Sequence, residues 1–294
     1  MPHAVTLEYL YQQTRKKAQQ MRNTIDATEL SIDDFEAIAN CFDAKFTEDA
    51  MAIEADGHYS KGVAVITLNS HIRHDERRNF TFAHELMHHC IDQDNNLFEL
   101  IADYAENASN EALDALVERL CNVGAAELLM PSDEVREIIA AREFTVALIP
   151  ELCERFKASS IAAAIKLVTL AEHACYMFIA EQYKYEEDAT QVRMLDSTPT
   201  QHWFLKVTYS GKSVAAKYPM GRGYEVLPEH LMYQSWAQPG EILTGHDDIP
   251  RRKSKNKPWK VDCECLAYRS KVFGFFHAMP KNTNSSNQLG LFEL

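Results

Sequence analysis

The spacing of apolar residues divides the chain into a mainly helical first part and a second part that contains strands. Residues 5–55 are predicted to be mostly helical, with Ser31 as the N-cap of a helix and Asp34 three positions later. The run 63–69 is apolar and rich in β-branched residues, so it is predicted as a strand. We therefore expect an α+β fold in which the helical part includes a small sheet.

The next predicted helix, at about 75–92, is apolar on most sides, which is typical of a helix buried in a core. It nevertheless carries four titratable residues in its second half, namely His84, Glu85, His88 and His89. Titratable groups inside a core need partners, and a metal ion can be the partner of several of them at once.

Further along, the pattern continues with helices and then changes to strands. A helix is predicted at 111–130, where Pro131 ends it, and two helical patterns within 148–179 resemble a helix-turn-helix pair. After residue 185 the composition changes, which indicates a second region with a sheet. Its predicted strands are 203–209, 265–268 and 271–277.

Charge and cysteine content narrow the classes of function. The formal net charge of −13 argues against a surface that coats nucleic acid or an anionic membrane without specificity. The N-terminus lacks the apolar core of a signal peptide, and no apolar stretch approaches 18 residues, so no membrane-spanning helix is predicted. The seven cysteines show neither zinc-ribbon nor disulfide spacing, so we expect a cytoplasmic protein with reduced thiols.

The spacing of His84 and His88 points to metal chemistry. Four positions apart on a helix, both imidazoles lie on one face and can bind a single tetrahedral ion. Glu85 projects about 100° around the helix from His84, so its carboxylate is expected to reach a water molecule at the ion and to act as a base. The motif has only three fixed positions, and the alternative is a buried helix whose histidines form ordinary hydrogen bonds.

A catalytic zinc site needs a third protein ligand, and the downstream segment offers several carboxylates. The candidates are Glu99, Asp103, Glu106, Glu111, Asp114 and Glu118. We favour Glu118, because it belongs to a mostly apolar helix and Asn122 follows it by one turn on the same face. Asn122 would then orient a ligand histidine through the free ring nitrogen. The alternative for Glu118 is a solvated helix face shared with Glu111 and Asp114.

Segments 78–89 and 118–131 both resemble the signature of the ImmA/IrrE metallopeptidases. Carried over residue by residue, the resemblance makes His84, His88 and Glu118 the metal ligands and Glu85 the catalytic base. It implies zinc as the ion, with manganese as the alternative. The sequence departs from the signature at Met87, where a small residue is usual, and at Cys121, where alanine is usual.

The same resemblance implies a domain organisation. We expect a zincin-like metallopeptidase domain at 1–130, a helical linker similar to a helix-turn-helix at 131–180, and a GAF-like α/β sensor at 181–280. The tail 281–294 is expected to be disordered. The pattern is similar to that of members encoded beside anti-phage defence systems (CapP-like), in which single-stranded DNA is the implied activator.

The implied function is cleavage of a partner helix-turn-helix repressor, in response to DNA damage or single-stranded DNA, which would derepress stress or anti-phage defence genes. The competing class is a non-catalytic anti-repressor that binds its partner through the same cleft. A direct transcription factor is disfavoured, because segment 161–168 offers a recognition helix only one cation and no Asn, Gln or Arg.

Two further features carry hypotheses of their own. Cys121 lies three residues after Glu118, so its thiolate is a possible inhibitory fourth ligand; the alternative is that it fills a small apolar gap. Segment 251–260 concentrates cations around one aromatic residue, which favours contact with phosphates and a base, although a solvated loop is the alternative. Its candidate contact residues are Arg251, Arg252, Lys253, Lys255, Lys257, Trp259 and Lys260.

Overall fold

The computed structural model describes residues 5–52, 56–106, 108–184, 203–250 and 259–278. The chain forms two compact units. The first comprises the described residues up to Ala141 together with Glu151–Ala162, and the second comprises Arg142–Pro150 and the described residues from Ala163 onward. The predicted tail at 281–294 lies outside the described residues. None of the described helices has the length and the apolar character needed to cross a membrane.

Helices dominate the first unit, and most of them begin at a side-chain cap. Its helices are α1 Leu7–Ala27, α2 Phe35–Cys41, α3 Asp75–Gln93, α4 Asn95–Tyr104 and α5 Asn110–Leu129. Thr6, Asp34, Asp94 and Ser109 accept hydrogen bonds from backbone N–H groups of the first turns of α1, α2, α4 and α5. Each of these caps satisfies a backbone donor that the helix itself leaves unpaired.

A small mixed sheet accompanies these helices. Its strands are β1 Lys45–Asp49, β2 Gly57–Ser60 and β3 Val65–Asn69, with a short 3-10 turn at Lys61–Val63. The order is β1-β3-β2, with β1 parallel and β2 antiparallel to β3. One continuous apolar core runs through α1, α2, α3, α5 and β3. Burial of this shared core is what fixes α3 and α5 against each other.

Three further helices are divided between the two units. They are α6 Ser132–Arg142, α7 Leu148–Phe156 and α8 Ser160–Leu170. This division differs from the predicted boundaries at 130 and 180. Those boundaries came from the resemblance to the family, whereas the compact units reflect which residues contact one another.

The second unit is built on an antiparallel sheet with the order β6-β5-β4-β9-β8-β7. Its elements are β4 Cys175–Lys184, β5 Trp203–Lys212, β6 Glu225–Val226, α9 Leu231–Ala237, β7 Ile242–Asp248, β8 Lys260–Tyr268 and β9 Lys271–His277. Arg269 and Ser270 both have positive φ and join β8 to β9 as a two-residue hairpin turn. The predicted strand at 271–277 matches β9, and the α+β class is confirmed.

Elsewhere the local predictions are only partly correct. Asp34, and not Ser31, caps α2, because its carboxylate accepts from the N–H of Ala37 at 3.3 Å. No helix was predicted between those at 75–92 and 111–130, yet this stretch contains α4, which buries Leu97 and Ile101. The predicted strand at 63–69 starts two residues too early, because Val63 is the last residue of a 3-10 turn and β3 begins at Val65.

Candidate metal centre

Helix α3 presents the two motif histidines as predicted. The Nε2 atoms of His84 and His88 lie 3.1 Å apart, and the ring centroids lie 4.8 Å apart. Both side chains are mostly buried, with 14% and 20% exposure. Because the two nitrogens lie this close together, both can bind a single metal ion.

Helix α5 brings Glu118 to this pair. Its Oε2 lies 3.2 Å from His84 Nε2, and its Oε1 lies 3.3 Å from His88 Nε2. The other five candidate carboxylates do not join the group. Glu118 is thus the carboxylate that the fold places beside both histidines, 34 residues away from the first of them.

Close packing of α3 on α5 makes this approach possible. A Cβ added to Gly124 would lie 2.5 Å from the Cε of Met87, so the glycine leaves the space that the long methionine side chain occupies. Met87, one of the two positions where the sequence departs from the signature, is therefore accommodated by a glycine on the facing helix.

The three donor groups fit a small tetrahedral ion. For metal–ligand distances of about 2.0–2.1 Å, neighbouring ligand atoms in a tetrahedron are separated by about 3.3 Å. The two imidazole nitrogens lie 3.1 Å apart, and each of them has one oxygen of Glu118 within 3.2–3.3 Å. Two imidazoles and one carboxylate also form a donor set that zinc accepts, and three protein ligands leave a fourth position for a reactant.

Glu85 stands beside this group and not within it. Its side chain is buried and accepts a hydrogen bond from the backbone N–H of Tyr59 on β2. Burial raises the pKa of the Glu85 carboxyl to about 7, and the neighbouring Glu118 carboxylate adds to the rise. A bound cation would act in the opposite direction. A carboxyl group whose pKa lies near neutral pH can act as a general base beside a metal site.

A cleft of about 600 Å³ opens over the group, with β2 as one wall. The sequence did not reveal this wall, which contains Gly57, His58 and Tyr59. The strand is only four residues long, so no alternation was available to detect it. A Cβ on Gly57 would lie 2.7 Å from the Cγ2 of Thr81 and 3.1 Å from the Cγ of Glu85. The glycine therefore permits the close approach of β2 to α3.

The third histidine of the helix, His89, has a structural role. It is buried, with Nδ1 3.1 Å from the hydroxyl of Tyr59 and Nε2 2.7 Å from the carbonyl oxygen of Phe42. Both ring nitrogens are thereby occupied. Tyr59 thus contacts α3 through its backbone at Glu85 and through its hydroxyl at His89 and Asp92.

Asn122 lines the cleft but does not hold a histidine in this structure. The Nδ1 of His84 is buried and has no hydrogen-bond partner among the described residues. Asn122 is itself exposed. The predicted orienting contact is therefore absent in this conformation, and the role of Asn122 stays a prediction.

The possible inhibitory ligand Cys121 lies elsewhere. Its side chain is fully buried in the core that joins the helices, and its sulfur does not belong to the donor group of His84, His88 and Glu118. Burial raises the pKa of the Cys121 thiol, and the carboxylates of Glu118 and Glu85 raise it further. An offset of three residues places Cys121 about 60° around the helix from Glu118, and in the packed structure this offset directs the thiol into the core and not toward the donor group.

The predicted nucleic-acid segment is only partly described. Arg251, Arg252, Lys253, Lys255 and Lys257 lie outside the described residues. Lys260 is the exposed first residue of β8. The indole of Trp259 packs edge-on against two tyrosine rings, with centroid distances of 5.5 Å to Tyr176 and 6.2 Å to Tyr218. The indole of Trp259 is thus half-buried and already in contact with these two rings.

Comparison with known proteins places this centre in a family. Residues 39–168 match the model of the IrrE N-terminal-like domain of the M78 peptidases. The chain is 28% identical over 210 residues to a radiation response metalloprotease IrrE of Deinococcus deserti, which covers 71% of this chain and 70% of the relative. It is 31% identical over 211 residues to the protein of the same name from Deinococcus radiodurans, covering 70% of this chain and 61% of the relative.

Among solved structures, a Mycobacterium tuberculosis transcriptional regulator superposes with a TM-score of 0.55 at 14% identity. The superposition covers 94% of this chain and 81% of that one, so it shows a shared fold. The family implies a divalent metal, and the matched region contains the complete group of His84, Glu85, His88 and Glu118. Residues 39–168, which contain this centre, therefore belong to the ImmA/IrrE family of metallopeptidases.

Proposed function

We propose that this protein is a zinc-dependent endopeptidase that cleaves a partner protein at the cleft between α3 and β2. The observation that carries the proposal is the convergence of His84, His88 and Glu118 beside the buried carboxyl of Glu85. His84, His88 and Glu118 would hold the ion. When bound, zinc supplies Lewis acidity, which lowers the pKa of water and polarises a peptide carbonyl.

Glu85 would move the protons. It takes a proton from the attacking water as the oxygen adds to the scissile carbonyl carbon. It then gives that proton to the amide nitrogen as the C–N bond breaks, which yields an amine and a carboxylic acid, and the acid passes its remaining proton to solvent or to the amine. Its burial and its hydrogen bond from Tyr59 N–H hold the carboxyl at a fixed place for both transfers.

The substrate would bind as an extended segment along β2. Among the described residues β2 pairs with β3 on one side only, so its outer edge offers backbone groups to an added strand. This outer edge lies next to Glu85, because the N–H of Tyr59 donates to the Glu85 carboxylate. His58 is exposed on the same strand and lines the cleft, where it is placed to contact a bound chain.

We further propose that the substrate is a helix-turn-helix repressor and that cleavage derepresses stress or anti-phage defence genes. The names of the two Deinococcus relatives, both radiation response metalloproteases, support a role in a damage response. The second unit would act as a GAF-like sensor, with single-stranded DNA as its signal. The six-stranded antiparallel sheet with its own core is compatible with such a binding domain.

Replacement of Glu85 by Gln tests the peptidase proposal. The variant keeps the size of the side chain and its hydrogen-bonding capacity but cannot accept the proton. We expect metal content to stay at the wild-type level, while cleavage of a helix-turn-helix repressor falls by about two to four orders of magnitude. Cleavage products are separated by mass spectrometry.

The same variant distinguishes the competing function. A non-catalytic anti-repressor would still relieve repression with Gln at position 85, because binding through the cleft needs no proton transfer. Relief of a reporter gene by Glu85→Gln at the wild-type level, with the repressor intact, would favour the anti-repressor and reject the peptidase.

A further inference from the structure

The second unit contains another group of metal-binding side chains. Among the described residues, two groups of three His, Cys, Asp or Glu bring their donor atoms within 4.8 Å of one another. One is the centre on α3 and α5, and the other consists of His173, Cys175 and His277. This second group lies where β4 begins and β9 ends.

The register of the sheet assembles the group. Cys175 and His277 are direct partners in the antiparallel pairing of β4 with β9. A backbone hydrogen bond of 2.8 Å from Ala278 N–H to the carbonyl oxygen of Ala174 continues the ladder past this pair. Partners directly opposite each other in such a ladder have Cβ atoms about 5 Å apart, so their donor atoms can meet.

His173 completes the group from the loop before β4. Its Nε2 lies 2.8 Å from the Nδ1 of His277, and the two rings are stacked with centroids 5.1 Å apart. Two imidazole nitrogens at this distance share one proton or one electrophile. A metal ion between them would replace that proton.

A buried carboxylate orients His277. Glu264 Oε1 lies 3.4 Å from His277 Nε2, and Glu264 Oε2 accepts from the hydroxyl of Thr145 at 2.5 Å. Glu264 is only 8% exposed. A carboxylate beside Nε2 favours the proton there, which leaves the lone pair on Nδ1, the atom that faces His173. This carboxylate–histidine arrangement is the one that metal sites use to fix a ligand.

Apolar neighbours shield the donor atoms on one side. The ring of Phe144 meets His173 and His277 edge-on, with centroids 5.1 Å and 6.1 Å away, and stacks on Phe275. Cys175 is fully buried, whereas His173 is exposed. The group thus has a dry interior and an opening toward solvent, through which an ion can enter.

We propose that His173, Cys175 and His277 form a second metal site, which takes a zinc-class transition-metal ion with one thiolate and two imidazole ligands. This donor set selects against magnesium, calcium and manganese, which prefer oxygen. Binding releases the thiol proton and uses both histidines in the neutral form. Binding needs the donor atoms to move by on the order of 1 Å, because zinc–sulfur and zinc–nitrogen bonds are about 2.3 and 2.0–2.1 Å long.

The site would tie the first residue of β4 to the last residue of β9, and it leaves a fourth position for water or an added ligand. The stability of the second unit would then depend on the metal. This inference does not rest on the peptidase function, since the two groups share no residue.

Cobalt(II) is the probe that separates the two sites. A thiolate bound to cobalt gives an intense near-ultraviolet charge-transfer band, which a site of two histidines and one carboxylate cannot give. We expect the full-length protein to bind two cobalt ions per chain and to show this band. The variant His84→Ala/His88→Ala should bind one ion and keep the band.

Variants of the second site give the opposite result. Cys175→Ser should lose the band, and His173→Ala, which changes an exposed residue and should not disturb folding, should need at least about tenfold more cobalt to reach it. Cys41→Ser is the control. Cys41 is the exposed cysteine among the described residues, and its replacement should leave both the band and the affinity for cobalt unchanged. No band in the wild type, or a band that survives both Cys175→Ser and His173→Ala, overturns the proposal.

Glu264→Gln tests the orienting carboxylate in the same titration. We expect the band to remain while the affinity for cobalt falls about 10–100-fold. Unchanged affinity in this variant would show that Glu264 does not orient His277 for metal binding.

Discussion

Glu118 is a half-exposed carboxylate that owes its role to position, since other carboxylates of the same helix have a similar chemistry. Asp114 is exposed one turn earlier on α5, yet only Glu118 has both oxygens within 3.3 Å of the motif histidines. Its exposure of 57% means that the contact contributes little to folding in the absence of a metal. The value of Glu118 therefore lies in metal binding.

Glu118→Ala should release most of the bound zinc, because two histidines alone seldom hold the ion tightly. Asp114→Ala is the matched control and should retain a full equivalent. Metal content is measured on purified protein after dialysis. Full zinc in Glu118→Ala together with loss in Asp114→Ala would assign the third ligand to the wrong residue.

At the scale of elements, the cleft depends on how closely β2 approaches α3. Gly57→Ala should destabilise the first unit by about 1–3 kcal/mol, because the added methyl group meets the side chains of Thr81 and Glu85. Activity should fall more than stability accounts for, because the shift displaces the strand that holds Glu85. The measurements are urea unfolding and the initial rate of repressor cleavage.

Gly62→Ala is the control for this change. A Cβ at Gly62 meets nothing within 4 Å, so the substitution should change stability by no more than about 0.5 kcal/mol and leave the cleavage rate unaltered. Equal behaviour of the two variants would show that β2 is not tightly held against α3.

A second contact between elements is sensitive to pH. Lys157 donates to Asp33 at 2.5 Å, and the carbonyl oxygen of Lys157 accepts from Asn79 on α3 at 3.4 Å. The hydrogen bond from Lys157, followed by that from Ser31, lowers the pKa of Asp33 from 3.8 to about 2. Because the pKa of Asp33 is lower in the folded state than in the unfolded state, the ionised carboxylate stabilises the fold at a pH above the unfolded-state pKa. This contribution is lost as the pH falls from about 4 to 2.

Asp33→Asn should therefore lower the free energy of unfolding at pH 7 by less than about 1 kcal/mol, since the pair is half-exposed. The difference from the wild type should vanish near pH 2. Urea unfolding at a series of pH values measures it, and Lys157→Gln should give the same profile. A difference that persists unchanged at pH 2 would exclude the ion pair as its cause.

At the scale of the whole molecule, a chain of net charge −13 carries its cations unevenly. If segment 251–260 binds single-stranded DNA, affinity should fall with a slope of about −0.7 per phosphate contact in a plot of log K against log salt. Replacing Arg251, Arg252 and Lys253 by Gln should weaken the binding of single-stranded DNA of any sequence and make that slope shallower. Fluorescence anisotropy with labelled oligonucleotides measures both.

The control removes three exposed cations from the first unit, at Lys16, Lys45 and Arg73. The net charge changes equally, so a specific segment predicts a much smaller loss in this variant. Similar losses in both variants would show that DNA responds only to the overall charge, and absence of binding at low salt would reject the segment as a DNA site.

The sequence by itself determined those features that depend on local geometry. The i, i+4 spacing of His84 and His88 places two imidazoles on one face of any helix, and the turn of a helix offsets Glu85 from them. The bounds of α3 and β9 also followed from their apolar patterns, because a buried helix and a buried strand have different periods. The resemblance to the family extended this to Glu118.

Only the tertiary structure decided which distant groups meet. Glu118 comes from another helix, Tyr59 from a strand too short to have a pattern, and His173 and His277 meet across 104 residues of sequence. Cys121, one turn from Glu118, faces the core instead of the ion for the same reason. Packing of helices and the register of a sheet bring side chains together through burial of the whole core, and no local pattern records that contact.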